Sequence, residues 1–345
     1  MNYVCIDGGG TKVQAARVKI NSSNSIDIIE PIIERKYLEH KSYNPNFIPI
    51  SIDDQKRDYP ILDIESNQGM VIIKTIVQII KDLNDDGDIK IAIAMPGEKT
   101  SDKRGIKIMK NGPRMLNFCK ELEDQIPNLV KPIIQIENDS KMCGLGENIH
   151  KEGAFRNIKN GYYLGGGTGL AECLKLNDNI FDINEIKDWI GKAWELKNAN
   201  GYDFETLSSL KGINKLINKG KKKDIAIGIA DLILERITTV HYGWEDQFII
   251  DRKLKQKHPY LNNYLDRIII GQQLSIFLDS DNDGIEIFNT ILNIFESKLK
   301  ARNGQIKDFY LDKNSLKSDF IVLSKLRKSP LLGLGSTILK LKEQK

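Results

Sequence analysis

The sequence predicts an α/β protein of two domains, and three observations carry that prediction. Its 345 residues exceed what one small core needs and suit two. A strand, a glycine-rich turn and a return strand occur twice, over residues 3–20 and 161–176. Apolar residues recur at helical spacing over 70–83 and 224–240, the pattern of helices packed on a sheet.

The first hairpin opens with Tyr3-Val4-Cys5-Ile6, a buried strand, followed by Asp7, Gly8-Gly9-Gly10, Thr11 and Lys12. Val13 to Ile20 reads as the antiparallel return strand. Glycine serves where the backbone turns sharply or must approach a ligand closely. Successive backbone N–H groups in such a turn make a concave anion site. Thr11 adds a hydroxyl donor, and Asp7 can hold a cation through its water shell. The set suits the terminal phosphates of Mg-ATP; the alternative is a plain hairpin with an acidic neighbour.

Ile6-Asp7-Gly8-Gly9-Gly10-Thr11-Lys12 resembles the first phosphate motif of sugar kinases in the actin-like ATPase superfamily, and within it the ROK family (repressors, open reading frames and kinases). The resemblance implies two ribonuclease-H-like (actin-like ATPase) domains facing an interdomain cleft. It implies ATP-dependent phosphorylation of a sugar or amino-sugar hydroxyl, with ATP and Mg2+ as cofactors. Gly8, Gly9, Gly10, Thr11 and Lys12 would then bind nucleotide phosphate, and Asp7 would hold Mg2+ through water.

Residues 36–68 are polar and irregular, with Pro45, Pro49 and Pro60, and read as a surface excursion containing a strand or two. Met70 to Leu83 is a helix that Asn84-Asp85-Asp86-Gly87 ends. Ile89 to Met95 is an apolar strand running into Pro96-Gly97, and Gly105 to Met109 reads as another. Asn111-Gly112-Pro113-Arg114 resembles the family's substrate-side loop, which makes Asn111 a candidate sugar contact or a turn asparagine.

Pro132 to Ile136 is a short strand leading into Glu137-Asn138-Asp139-Ser140 and a small-residue helix ending in Gly146-Glu147, a pattern that resembles the ROK Glu-Asn-Asp motif. By that resemblance Asn138 orients the sugar and Asp139 is the general base. A hydroxyl attacking phosphorus needs an acceptor that directs it and removes its proton late, which a carboxylate at a strand end can supply. The alternative is that Asp139 caps the helix.

Gly161 to Leu164 runs into Gly165-Gly166-Gly167-Thr168-Gly169, which resembles the second phosphate motif; Leu170 to Leu176 reads as its return strand. A dinucleotide fingerprint needs a helix there, and a Walker loop needs Gly-Lys-Ser/Thr. Two such hairpins can grip one nucleotide from both sides. Typical ROK kinases then carry Gly-Glu-x-Gly-His and a cysteine-rich zinc loop. Residues 182–195 hold neither, so no structural zinc is expected. There Lys192, Trp194 and Glu195 are candidates for a different acceptor site, with Trp189 or Trp194 stacking on a sugar face. The alternative is an amphipathic helix with core tryptophans.

Phe204-Glu205-Thr206-Leu207-Ser208-Ser209 resembles the family's Leu-Glu-x-x-Ala-Ser stretch, making Glu205 a substrate ligand; the alternative is a solvated first-turn carboxylate. Leu265 to Ile270 is a strand ending at Gly271-Gln272-Gln273, where the family places a triple glycine at the adenosine. Gly271 and Gln272 are candidate adenosine contacts, and the glutamines depart from the pattern. Phe288 to Leu299 is a helix, and Leu326 to Ser336, with Gly333 and Gly335, resembles the final helix that closes on the N-terminal domain. The expected domains are 1–143 with 330–345, and 144–329.

The composition excludes several classes. Lys and Arg number 51 against 47 Asp and Glu, a net charge of +4 without the concentrated basic face of nucleic-acid binders. Cys5, Cys119, Cys143 and Cys173 have neither metal nor redox spacing, and His40, His150, His241 and His258 are scattered. No signal peptide is expected, and no apolar run approaches the ~18–20 residues of a membrane span. A cytoplasmic protein with a small-molecule sugar partner is the expectation, without nucleic acid or membrane, and compatible with a homodimer. The rival reading is a sugar- or nucleotide-responsive regulator on the same scaffold, without catalysis.

Overall fold

Strand-length apolar runs alternate with longer amphipathic segments, and the chain sorts them into two units, Met1–His150 with Lys328–Lys345, and Lys151–Arg327. The computed structural model describes residues 2–21, 25–84, 87–302 and 304–343. Asp85 and Asp86 of the expected helix-ending turn lie outside the described residues.

In chain order the first unit comprises β1 (Asn2–Gly8), β2 (Lys12–Ile20), β3 (Ile26–Lys36), α1 (Asp63–Leu83), β4 (Ile89–Met95), β5 (Ile136–Asn138) and α2 (Asp139–Ile149). Its sheet has the order β3-β2-β1-β4-β5. The β1–β2 and β2–β3 pairs are antiparallel, while β1–β4 and β4–β5 are parallel. Val4, Ile6 and Val13 are buried together with Val71, Ile72, Ile76 and Ile79 of α1. Cys5 and Asp7 alternate to the opposite face.

Three local expectations change in this unit. Past the end of β3 at Lys36 the excursion over 37–62 has no strand; it has a single 3-10 turn at Tyr37–Glu39 and a short helix at Ile52–Lys56. Side chains hold it down instead. Buried Gln55 donates to the Ile50 and Met109 carbonyls and accepts from the Met109 N–H. Arg114 grips Glu65 through Nε at 2.9 Å and Nη2 at 2.7 Å. The long helix therefore starts at Asp63, where Asp63 and Glu65 suit the positive end of a helix. The strand expected over 132–136 lies at Ile136–Asn138, because only there does the chain reach the Ile93–Met95 edge; Val130 and Ile134 face solvent.

The second unit comprises β6 (Gly161–Gly166), β7 (Leu170–Leu176), β8 (Asn179–Asp182), α3 (Phe204–Ser208), α4 (Leu210–Ile217), α5 (Lys222–Tyr242), β9 (Arg267–Gly271), α6 (Gln272–Ser280), α7 (Asn282–Lys300) and β10 (Ile321–Leu323). Its sheet, β8-β7-β6-β9-β10, repeats the order of the first unit. It repeats the strand directions too, antiparallel for β6–β7 and β7–β8 and parallel for β6–β9 and β9–β10.

Residues 183–195 form successive turns, not an amphipathic helix. The apolar face is real, since Ile183, Ile186, Trp189 and Ile190 join the core. Side chains, however, take the backbone groups a helix would pair. Glu172 accepts the Ala193 N–H at 2.9 Å, and Arg252 donates to the Lys187 and Ile190 carbonyls.

The chain then returns to the first unit as α8 (Ser329–Glu343), which packs on α2. The two backbones nearly touch. A Cβ at Gly146 would stand 2.0 Å from the Ser329 carbonyl oxygen, and one at Gly333 would stand 2.1 Å from that of Met142. Gly333→Ala is expected to destabilise the protein by about 1–3 kcal/mol through overpacking, read as a lower urea midpoint. An unchanged midpoint would show that the two helices part freely. No described helix is long and apolar enough to cross a membrane.

Candidate functional site

The parallel strands β1, β4 and β5 finish in one row. Asp7 is level with Ala94, Ala94 with Glu137, and Met95 with Asn138. Asp7 and the Asn138-Asp139 corner are thus two strand spacings apart, about 10 Å. The carboxyl ends of parallel strands are where α/β sheets bind ligands.

The first glycine turn stands at this edge. The Gly9 N–H donates to the Lys12 carbonyl at 2.8 Å and closes it. A Cβ at Gly8 would lie 2.1 Å from Met95 Sδ, so the buried Met95 side chain occupies the space a side chain here would need. A Cβ at Gly10 would lie 3.3 Å from the Asn111 carbonyl oxygen, which sets Asn111 against the turn. Left-handed glycines among the described residues are Gly97, Gly201, Gly220, Gly243 and Gly304, none of them in either glycine turn. Close neighbours, not φ, are what mark Gly8, Gly165 and Gly166. Thr11 is exposed, and Lys12 Nζ meets Glu34 Oε2 at 2.7 Å with both side chains 40% exposed. A pair so exposed contributes little and can be exchanged for another anion.

Asp7 is half-buried at the end of β1. Its Oδ2 accepts from Gln14 Nε2 at 2.9 Å, and Gln14 Oε1 accepts from Lys328 Nζ at 3.0 Å. Burial pushes the Asp7 carboxyl from 3.8 up to about 7; the Gln14 hydrogen bond opposes the shift and the Asp139 charge adds to it. The two aspartates therefore feel each other. Between these two pKa values the folded Asp7 holds a proton that the unfolded chain has released. Stability attributable to Asp7 therefore falls as pH rises through that window, by at most about 1.4 kcal/mol per pH unit, and levels off above it. Asp7→Asn is expected to remove that slope in urea denaturation series run across the window. Parallel slopes for the two proteins would contradict it.

Asn138, not Asp139, caps α2. Asn138 Oδ1 accepts the Ser140 N–H at 2.9 Å and the Lys141 N–H at 3.2 Å. Asp139 is the first helical residue, half-buried, and its Oδ1 accepts the Ser140 N–H at 2.9 Å. A helix start favours negative charge, and the capping duty that would have explained Asp139 structurally falls to its neighbour. The Asn138 Nδ2 donors have no partner among the described residues.

In the second unit Gly165 and Gly166 pair with Ala171 and Leu170, and the Gly167 N–H donates to the Gly169 carbonyl at 2.9 Å. The turn is braced by α4, whose Leu210 N–H donates to the Gly167 carbonyl at 3.1 Å. A Cβ at Gly166 would lie 2.8 Å from Leu274 Cβ, whereas at Gly167 nothing lies within 4 Å, so one side of the turn is open. Thr168 sits between Gly167 and Gly169 in that open part. Gly271 is level with Gly165, and a Cβ there would lie 2.3 Å from the Tyr163 hydroxyl. Gln272 adopts φ 54°, a left-handed conformation that costs a non-glycine residue about 1–2 kcal/mol. Its Oε1 would stand 2.7 Å from a Cβ at Gly165. The backbone thus keeps a glycine-like shape while the side chain lies over the turn. Glu205 is half-buried on α3, whose end abuts the same turn through the Ser208 carbonyl, 3.3 Å from a Cβ at Gly166.

Glu195 is engaged elsewhere. Its carboxylate takes Arg252 Nε at 3.0 Å and Nη2 at 2.8 Å, and the Lys192 N–H at 2.9 Å. Burial would raise its pKa, but these bonds outweigh it and hold the carboxyl below its usual range. The geometry gives Glu195 the task of holding residues 187–195, not a free carboxylate for a ligand. Trp189 is core, stacked on His258 with centroids 3.9 Å apart; Trp194 stays half-buried with Lys192 Nζ 5.7 Å from its ring. Gln14, Arg252 and Lys328 escape the sequence reading. Gln14 was within reach, since the hairpin register puts it opposite Asp7. Nothing local marks the other two.

None of the four cysteines forms a disulfide and all are buried, and among the described residues no group of three or more His, Cys, Asp or Glu could hold a metal ion. A single hard oxygen donor at Asp7, beside the charge of Asp139, fits Mg2+ bound through its waters.

No family model matches the chain, and no curated protein matches it. Solved structures do. A ROK family protein from Streptococcus pneumoniae in complex with sucrose is 13% identical with TM-score 0.56, covering 100% of both chains. A ROK family glucokinase from Streptomyces griseus in complex with glucose and AMPPNP is 13% identical with TM-score 0.55, covering 98% of this chain and 99% of that one. A ROK family transcriptional regulator, homolog of the E. coli MLC protein, is 12% identical with TM-score 0.50, covering 99% of this chain and 80% of that one. The chain has the mixed α/β fold of these structures over its full length.

Proposed function

We propose that this chain is a ROK-family, ATP-dependent sugar kinase, phosphorylating a hydroxyl of a sugar or amino sugar with Asp139 as general base. One observation carries the reading: Asn138 takes the helix cap and leaves Asp139 at the strand edge that also bears Asp7 and the first glycine turn. The repeated sheet order supports reading each unit as a ribonuclease-H-like domain of the actin-like ATPase kind.

The chemistry asks little beyond positioning and charge neutralisation. Asn138 Nδ2 donates to a sugar hydroxyl, and Asn111 and Glu205 are further sugar contacts. Asp139 accepts the hydrogen bond of the attacking hydroxyl, sets its direction, and takes its proton as the new O–P bond forms and the bond to the leaving ADP oxygen breaks. Backbone N–H groups of Gly8–Gly10 and Gly165–Gly169, with the Thr11 and Thr168 hydroxyls and the Lys12 ammonium, hold the phosphates. Gly271 and Gln272 border the adenosine. Mg2+ bound through water at Asp7 would neutralise phosphate charge. A cytoplasmic setting, where ATP is at hand, follows from this chemistry.

The position of Gln272 favours a second reading. Its carboxamide lies over the second turn, where it can obstruct phosphate, as in a sugar-responsive regulator without turnover. A coupled ADP-release assay with Mg-ATP over a panel of hexoses and N-acetylhexosamines separates the two. Sugar-dependent ADP release is expected; sugar binding with no release would leave the regulator.

A further inference from the structure

Gln14 and Lys328 touch no group that the proposed reaction transforms, yet they form an ordered chain ending on Asp7. Asp7 and Gln14 are direct cross-strand partners and so share a face of the sheet. Gln14 Nε2 holds Asp7 Oδ2 at 2.9 Å, and Lys328 Nζ holds Gln14 Oε1 at 3.0 Å. A carboxamide can present either end to a carboxylate, but an ammonium only donates. With Lys328 on its oxygen, Gln14 must turn its nitrogen to Asp7. The lysine thereby decides the orientation of the amide, and the amide that of the carboxylate.

Lys328 itself is fixed from the far end of the chain. It directly precedes α8, which Gly333 locks against α2. It is half-buried, and the hydrogen bond of its ammonium among the described residues goes to Gln14. The ammonium bonds a neutral amide, and the Asp7 charge one link further on acts on it through space.

We infer that Gln14 and Lys328 are positioning residues for Asp7, tying down Oδ2 so that Oδ1 is presented to the hydrated divalent cation of the first glycine turn. The inference rests on the kinase reading in that it takes this turn to receive a metal–nucleotide complex. It does not need turnover. Partners that orient a metal-holding carboxylate cost 10–100-fold in metal affinity when removed.

The test measures Mn2+ binding by electron paramagnetic resonance in the presence of ADP, with the full chain and no sugar. Gln14→Leu is expected to raise the Mn2+ Kd about tenfold or more. Lys328→Met is expected to weaken binding less, because removing a nearby positive charge offsets part of the lost orientation. Lys328→Arg, which keeps charge and donor, is expected to stay within about twofold of wild type. Melting temperatures of the unliganded variants serve as the control for folding. Wild-type affinity in both Gln14→Leu and Lys328→Met overturns the inference. So does tighter binding in Lys328→Met beside unchanged binding in Gln14→Leu, which would leave the lysine a mere point charge. Absence of Mn2+–ADP binding in the wild type removes the nucleotide reading and this inference with it, a pattern distinct from the other two.

Discussion

Asp139→Asn is expected to lower turnover by about 10²–10⁴-fold while Mg-nucleotide still binds. The substitution is close to isosteric. The Asn138 cap is untouched, and the new Oδ1 still accepts the Ser140 N–H that Asp139 accepts at 2.9 Å. What is lost is the ability to take a proton, together with the negative charge. The variant carries an internal control as well. The charge of Asp139 helps hold the Asp7 carboxyl up, so the Asp7 titration should move to lower pH in the variant. Rapid-quench measurement of phosphoryl transfer, with nucleotide affinity followed separately, reads both effects. Turnover retained within a few-fold would remove Asp139 from the chemistry.

Arg236→Met is expected to produce the largest loss of stability. Arg236 is fully buried and joins two carboxylates. Its Nη2 lies 2.6 Å from Glu172 Oε1 and its Nη1 lies 2.5 Å from Glu235 Oε2. Tyr162 donates to Glu172 at 2.7 Å, and Thr239 donates to Glu235 at 2.7 Å. Removing the guanidinium leaves two buried acids without a counterion, at a cost of about 3–5 kcal/mol. In a unit of this size that corresponds to a fall in Tm of about 10 °C. Burial already raises the Glu235 pKa against the pull of Arg236, so the carboxyl should keep its proton to higher pH in the variant than in the wild type. Adding Glu235→Gln should recover part of the loss, because one uncompensated charge disappears. The damage should also reach the turns at 183–195, since Glu172 holds the Ala193 N–H at 2.9 Å. Hydrogen exchange at Ala193 checks that link. A melting temperature within a degree or two of wild type would show that the network carries no weight.

The two hairpins were legible because turn chemistry is local: glycines between apolar runs specify a strand, a bend and a return, and both appear as expected at 2–20 and 161–176. The long helix read over 224–240 spans Lys222–Tyr242 for the same reason, since its apolar face repeats without interruption. Residues 183–195 show where periodicity misleads. Their apolar residues reach the core at the predicted spacing, yet Glu172 and Arg252 draw off the backbone groups that a helix would pair. Gln272 shows a different limit. Its departure from a triple glycine was visible, but not that the backbone there would remain left-handed with the side chain lying over Gly165.

What the order of residues determined by itself was the kind of parts this protein has: two glycine-turn hairpins, a carboxylate after a strand, and enough apolar length for two α/β units. Propensity and periodicity act over a few residues and can be read one segment at a time. Only the tertiary structure decided which side chains those parts would use. It set Asp139 on the strand edge that also carries Asp7, tied Glu195 to Arg252, and brought Lys328 to Gln14 across 314 positions. Such partnerships follow from which strand ends and helix starts share one edge, and no spacing along the chain encodes that.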